Sequence, residues 1–155
     1  MLVFTQRINH THDCKHTLTL AYEFRQKARL KTLSDNGEEV GLMLPRGLVL
    51  RGGDCLASDD GVVAKIIAAP EEVSVAQTND KLVLAKACYH LGNRHMPLQI
   101  EEDCLIYQRD HVLDEMIRNL GLEINHELRA FEPESGAYST HNHGHIHEHS
   151  HVHSH

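Results

Sequence analysis

The sequence predicts an α+β protein: a small all-β domain over residues 1–70, a ferredoxin-like β-α-β-β-α-β domain over residues 71–138, and a disordered His-rich tail over residues 139–155. Three observations carry this reading. Up to residue 70, short apolar stretches are parted by Gly, Asp, Asn and Pro turns at intervals of about 8–12 residues, the mark of a small sandwich or barrel. After Ala69-Pro70, where proline punctuates a change of pattern, two stretches with helical apolar spacing alternate with strand-like ones. From His141 to His155 every second residue is histidine, and such a run has too few apolar side chains to build a core.

In the first part, Leu18–Phe24 alternates and reads as a strand. Arg29–Leu33 and Glu39–Leu44 flank Asp35-Asn36-Gly37, and Asn-Gly predicts a hairpin because both residues tolerate positive φ. Further turns are expected at Pro45-Arg46-Gly47, Arg51-Gly52-Gly53-Asp54 and Asp59-Asp60-Gly61, the last leading into a strand over Val62–Ile67. No catalytic constellation stands out here. His10, His12 and His16 read as surface residues.

In the second part, Glu72–Ala76 reads as a strand. Asn79 or Asp80 is placed to cap a helix over Leu82–Leu91 by accepting a free backbone N–H. That helix is apolar nearly all round, with Lys86 and His90 on a narrow exposed side, and Gly92 is expected to close it as a left-handed cap. Met96–Ile100 and Cys104–Tyr107 form a hairpin about the turn Glu101–Asp103. Asp110 caps a second helix whose Val112, Leu113, Met116, Ile117 and Leu120 share one face. Gly121 ends it, and Leu122–Phe131 is the last strand. This order is the ferredoxin-like arrangement, two helices on one face of a four-stranded antiparallel sheet. With that turn, Ile100 lies across from Cys104 and Pro97 across from Tyr107, which brings His95 beside Arg109 and sets His95 and His111 at one edge of the sheet.

Composition narrows the function. The chain has 155 residues, no tryptophan and 5% aromatics, so its core is aliphatic. Residues 1–70 carry nine Lys/Arg against eight Asp/Glu; residues 71–140 carry six against thirteen. The acidic second half argues against nucleic acid, which needs a basic face, and suits cations. No apolar run approaches the ~18 residues of a membrane span, and Met1–Arg7 lacks the regions of a signal peptide, so a cytoplasmic protein is expected. Cys14, Cys55, Cys88 and Cys104 contain no Cys-x-x-Cys pair, which disfavours a structural zinc site. Cys88 and Cys104 read as small core residues. No His-Glu-x-x-His or similar set is present, so the chain does not read as an enzyme.

The chemistry lies in histidine. His141, His143, His145, His147, His149, His151, His153 and His155 place eight imidazoles on a tether, and imidazole is the commonest protein ligand for nickel, copper and zinc. Affinity tags are contiguous; this tail alternates and runs on from Glu134–Tyr138 without a linker, so it reads as native. A single His95 is a poor site for ions that want four to six ligands. A working site needs His95 from two subunits, imidazoles from the tail, or both. The tail can reach, since roughly 15–20 extended residues span up to ~50–65 Å.

Tyr89-His90-Leu91-Gly92-Asn93-Arg94-His95-Met96-Pro97-Leu98-Gln99 resembles the signature of the UreE family of urease accessory proteins, nickel metallochaperones. Pro45-Arg46-Gly47, Leu50–Asp54, Ala69–Val73, Asp110–Asp114, Phe131–Glu134 and Gly136-Ala137-Tyr138 agree with it, as does the His-rich end. The resemblance implies a homodimer joined through the ferredoxin-like domains, with His95 binding Ni2+ at the interface and His111 a secondary site. Zn2+ or Cu2+ could also bind. Arg109 stands where some relatives carry a further histidine, which weakens the second site. The first domain is similar to a peptide-binding domain of chaperones. The implied partners are the urease apoprotein and its accessory proteins, including the GTPase UreG; the competing reading is a general divalent-metal store with no delivery partner.

Overall fold

The computed structural model describes residues 1–136, and the eight alternating histidines lie outside them. The chain is mixed α+β, mostly strand, with three helices among the described residues. The first sheet is built from β1 (Leu2–Ile8), β2 (His16–Leu20), β3 (Arg29–Leu33), β4 (Glu39–Met43), β5 (Cys55–Ser58) and β6 (Val63–Ala68), in the order β2-β6-β5-β1-β4-β3. β1 runs parallel to β4 and β2 parallel to β6, while the other pairs are antiparallel. Its core gathers Phe4, Leu18, Val40, Leu42, Leu50, Leu56 and Ile66. Sequence pattern missed β1 and β5. All four residues of β5 are buried, so its apolar run does not alternate and carries no strand period.

The strand expected over Leu18–Phe24 stops at Leu20. A single helical turn, α1 (Tyr22–Arg25), follows, held by the amides of Phe24 and Arg25 on the Ala21 carbonyl. The turn carries Arg25 inward, where its fully buried guanidinium donates to the carbonyls of Leu20, Leu50 and Phe131 and pairs with Glu132 at 3.5 Å. An Arg so enclosed must have its donors satisfied, and here one side chain ties both halves of the chain together. The hairpin at Asp35–Gly37 forms as expected, but only Gly37 takes positive φ (+86°). Its amide bonds the Ser34 carbonyl and the Ser34 amide bonds the Glu38 carbonyl, which is a tight turn followed by a glycine bulge.

The second sheet comprises β7 (Pro70–Gln77), β8 (Gln99–Ile100), β9 (Cys104–Gln108) and β10 (Glu123–Ala130), ordered β10-β7-β9-β8 and antiparallel throughout. Pro70 is tolerated as the first residue of β7, where a missing N–H does least harm. Helices α2 (Lys81–Asn93) and α3 (His111–Asn119) lay Leu84, Ala87, Leu91, Leu113 and Ile117 on Ala76, Leu105 and Tyr107. Val73, Val75, Cys104, Ile106 and Phe131 point to the other face and receive Tyr22 from the first half. Asp80 and Asp110 cap the helices, each carboxylate accepting two backbone N–H groups. No helix among the described residues is long and apolar enough to cross a membrane.

Three local expectations are corrected. Val112 is exposed (55%), so the apolar face of α3 rests on Leu113 and Ile117. The exposed side of α2 is wide rather than narrow, with Leu82 and Tyr89 at 63% and 66%. The β8–β9 register is shifted by one residue. Ile100 pairs with Leu105 and Gln99 with Ile106, because Glu101 bonds Cys104 at 2.9 Å and the turn is Glu102-Asp103. A one-residue shift exchanges the faces of the sheet, so the opposition of Ile100 to Cys104 and the placement of His95 across from Arg109 do not hold.

Candidate metal site

The end of α2 is where the residues of interest meet. Gly92 was expected to close this helix in the left-handed conformation, but it stays helical, and the residue with positive φ is His95, at +58°. Two hydrogen bonds fix it there: the His95 amide to the Gly92 carbonyl at 2.9 Å and the Met96 amide to the Leu91 carbonyl at 3.3 Å. That pair is the Schellman motif, with His95 at the position usually held by glycine. Its apolar seal is present as well, since Met96 packs into the same cluster as the fully buried Leu91. Pro97 follows and prevents the helix from continuing. The side chain of His95 is left exposed at a helix C-terminus, where about half a negative charge collects and favours a cation.

His111 has the opposite setting. It is the first residue of α3, exposed, at a helix N-terminus whose dipole disfavours a cation. It lines a cleft of about 570 Å3 with Glu72, Arg109, Asp110 and Val112, so one guanidinium and two carboxylates share its surroundings. His95 does not line this cleft. Both histidines belong to the end of the sheet where β8 begins and β9 ends, yet no three His, Cys, Asp or Glu side chains among the described residues are grouped to hold an ion.

Residues 131–134 pack against the segment that follows His95. After β10, Phe131 is buried, the Glu132 amide donates to the Gln99 side chain at 2.9 Å, and the Glu134 amide donates to the Leu98 carbonyl at 2.7 Å. Residues 132–134 thus run along the free side of β8, whose approach through Leu98 follows the left-handed turn at His95. His141, His143, His145, His147, His149, His151, His153 and His155, expected as metal ligands, lie outside the described residues.

Two further groups were not legible in the sequence. Buried Asp114 accepts from the Tyr107 hydroxyl at 2.6 Å and bonds His126 Nε2 at 2.7 Å. Burial opposes its charge, but these hydrogen bonds outweigh burial and hold the carboxyl below the usual range. Burial also drives the Tyr107 hydroxyl well up. In the first half, Cys14 and Cys55 bring their sulfurs to 3.8 Å. Spacings of 12 and 41 residues carry no motif, so nothing short of the fold pairs these residues. The expectation that Cys104 is buried holds; Cys88 is half-buried.

Residues 4–69 match the family model described as UreE urease accessory protein, N-terminal domain, and residues 71–155 match that of UreE urease accessory protein, C-terminal domain. The chain is 54% identical over 146 residues to the urease accessory protein UreE of Citrobacter koseri, covering 94% of this chain and 96% of the relative. It is 51% identical over 144 residues to the UreE of Enterobacter sp. strain 638, covering 92% and 95%. Against the UreE of Escherichia coli O157:H7 it is 47% identical over 146 residues, covering 94% and 95%.

Proposed function

The chain belongs to the UreE family of urease accessory proteins, and on that premise we propose that it serves urease maturation as a nickel carrier, delivering Ni2+ to the urease apoprotein by way of accessory partners that include the GTPase UreG. The observation that carries this reading is His95: an exposed imidazole on a residue kept in the left-handed backbone conformation at a helix C-terminus. In this reading the tail collects ions in the cytoplasm and His95 holds one for transfer. Zn2+ and Cu2+ compete, since ligand type alone does not select nickel.

A single imidazole does not satisfy an ion that wants four to six ligands, so His95 of a second copy, imidazoles of the tail, or both complete the site. The outer stripe of α2 supports a homodimer with the two His95 residues facing each other. Leu82 and Tyr89 lie seven residues apart on one exposed side of the helix, and that side leads toward His95. We assign residues 71–138 to a ferredoxin-like dimerisation and metal-binding domain. Residues 1–70 form a peptide-binding-like domain, and residues 139–155 are the loader. His111, beside Arg109 and at a helix N-terminus, is at most a secondary ligand. Delivery is ligand exchange rather than catalysis. Only neutral imidazole binds metal, so acid releases the ion.

Equilibrium dialysis against nickel tests the reading, using the full chain, a chain ending at Tyr138, and His95→Ala in each. Truncation lowers the stoichiometry and leaves one ion per dimer; His95→Ala removes that ion. Unchanged binding by the truncated His95→Ala chain overturns the assignment of His95.

A further inference from the structure

We propose that Cys14 and Cys55 form a second metal site, for the thiophilic ion Cu+, separate from the histidines of the nickel path. The two thiols belong to different elements. Cys55 opens β5 and is fully buried, and Cys14 sits half-buried in the loop between β1 and β2. Their sulfurs are 3.8 Å apart. Two thiolates each ~2.3 Å from one ion stand ~3.8 Å apart at the tetrahedral angle and ~4.0 Å at the trigonal angle. The pair is therefore spaced to share an ion with almost no movement, whereas a disulfide would draw the sulfurs in to ~2.05 Å.

The surroundings decide which ion. Both thiols can donate to the Thr11 carbonyl, which lies 3.5 Å from Cys14 Sγ and 3.9 Å from Cys55 Sγ. The same loop carries His12, which lines with Cys14 a cleft of about 730 Å3. His10 and His12 have their rings 5.0 Å apart, edge to face, and both are exposed. Two sulfurs, with the exposed His12 imidazole lining the same cleft as Cys14, make a small, soft donor set. Zn2+ and Ni2+ want four or more donors, and no ready group of three exists among the described residues. Cu+ is satisfied by three donors in a trigonal set, the arrangement this sulfur spacing suits, and prefers thiolate. Binding is Cu+ plus two thiols giving a bis-thiolate copper complex and two protons, with no change of oxidation state. The half-exposed Cys14 gives the ion its way in, and the imidazole tail, a harder donor set, does not compete on equal terms.

The test is an anaerobic titration of the fully reduced full-length chain with Cu+, supplied as its acetonitrile complex in the presence of bicinchoninate as competitor. One Cu+ per chain should be retained with an ultraviolet thiolate-to-copper charge-transfer band. Cys14→Ser and Cys55→Ala should each lose the band while keeping nickel binding and the circular dichroism of the native fold. His12→Ala should keep the band and surrender copper to less competitor. Absence of the band in the reduced wild type, or its persistence in Cys14→Ser, overturns the proposal; equal retention by His12→Ala overturns the role of the imidazole. Cys14 is partly exposed, so Cys14→Ser decides the matter even if Cys55→Ala fails to fold.

Discussion

At the end of α3, Gly121 takes a φ of +105°, its amide bonds the Arg118 carbonyl at 2.9 Å, and the next amide, of Leu122, reaches the Ile117 carbonyl at 3.4 Å. At the end of α2, His95 takes a φ of +58° and makes the corresponding bonds to Gly92 and Leu91. Each motif is sealed by an apolar residue immediately after the left-handed one, Leu122 in one case and Met96 in the other. The backbone problem is the same and the residue chosen differs. Glycine enters this conformation freely, whereas a side chain with a Cβ gives up about 1–2 kcal/mol. Folding alone therefore accounts for Gly121. At His95 the fold accepts a less favourable residue, and the difference marks the imidazole as the feature retained.

The comparison can be broken most forcefully at α3, whose role is taken to be structural. Asp114→Ala strands the buried Tyr107 hydroxyl and frees His126, so it should cost about 1–3 kcal/mol in urea unfolding and leave nickel binding intact. Loss of nickel with the fold preserved would make α3 part of the site. The same carboxyl sets a pH dependence. Its pKa is lowered in the folded protein, so its contribution is present above the unfolded value of about 3.9 and is lost as pH falls through the lowered folded value. Asp114→Asn should flatten that acid-side loss in urea midpoints measured from pH 6 downward; an unchanged slope would assign the loss to other groups.

A smaller effect is expected at the glycine end. Gly121→Ala meets no atom within 4 Å of the new Cβ, so its cost is purely that of the backbone, about 1–2 kcal/mol, seen as a lower Tm with metal binding unchanged. The smallest effect, and the sharpest, belongs to His95→Gly. It should hold or raise stability, by about 1 kcal/mol or less, while removing the ion that the proposed function assigns to His95. If it destabilises the protein, His95 is a packing residue and the contrast between the two helix ends fails.

Much of the architecture follows from local rules. The caps Asp80 and Asp110, the hairpin at Gly37 and the stop at Gly121 are all set by neighbours a few residues away, where side chain and backbone compete for the same hydrogen bonds. What local pattern missed depends on distant chain. Strand β5 lies between β1 and β6 and so lacks alternation. The turn at α1 exists to deliver Arg25 to carbonyls as far away as Phe131. The β8–β9 register was misread because charged residues at 101–103 suggested a three-residue turn, whereas the bond from Glu101 to Cys104 leaves two.

The sequence alone carried the family, through the stretch from Tyr89 to Gln99, and the expectation of metal binding, through histidines in alternation and a lone histidine between a helix and a strand. It could do so because ligand identity and motif spacing are properties of the chain. It took the folded chain to put His95, not Gly92, in the left-handed turn, to run residues 132–134 along β8, and to bring Cys14 to Cys55. Those are relations among residues brought together by hydrogen bonds and burial across the fold, and no periodicity along the chain encodes them.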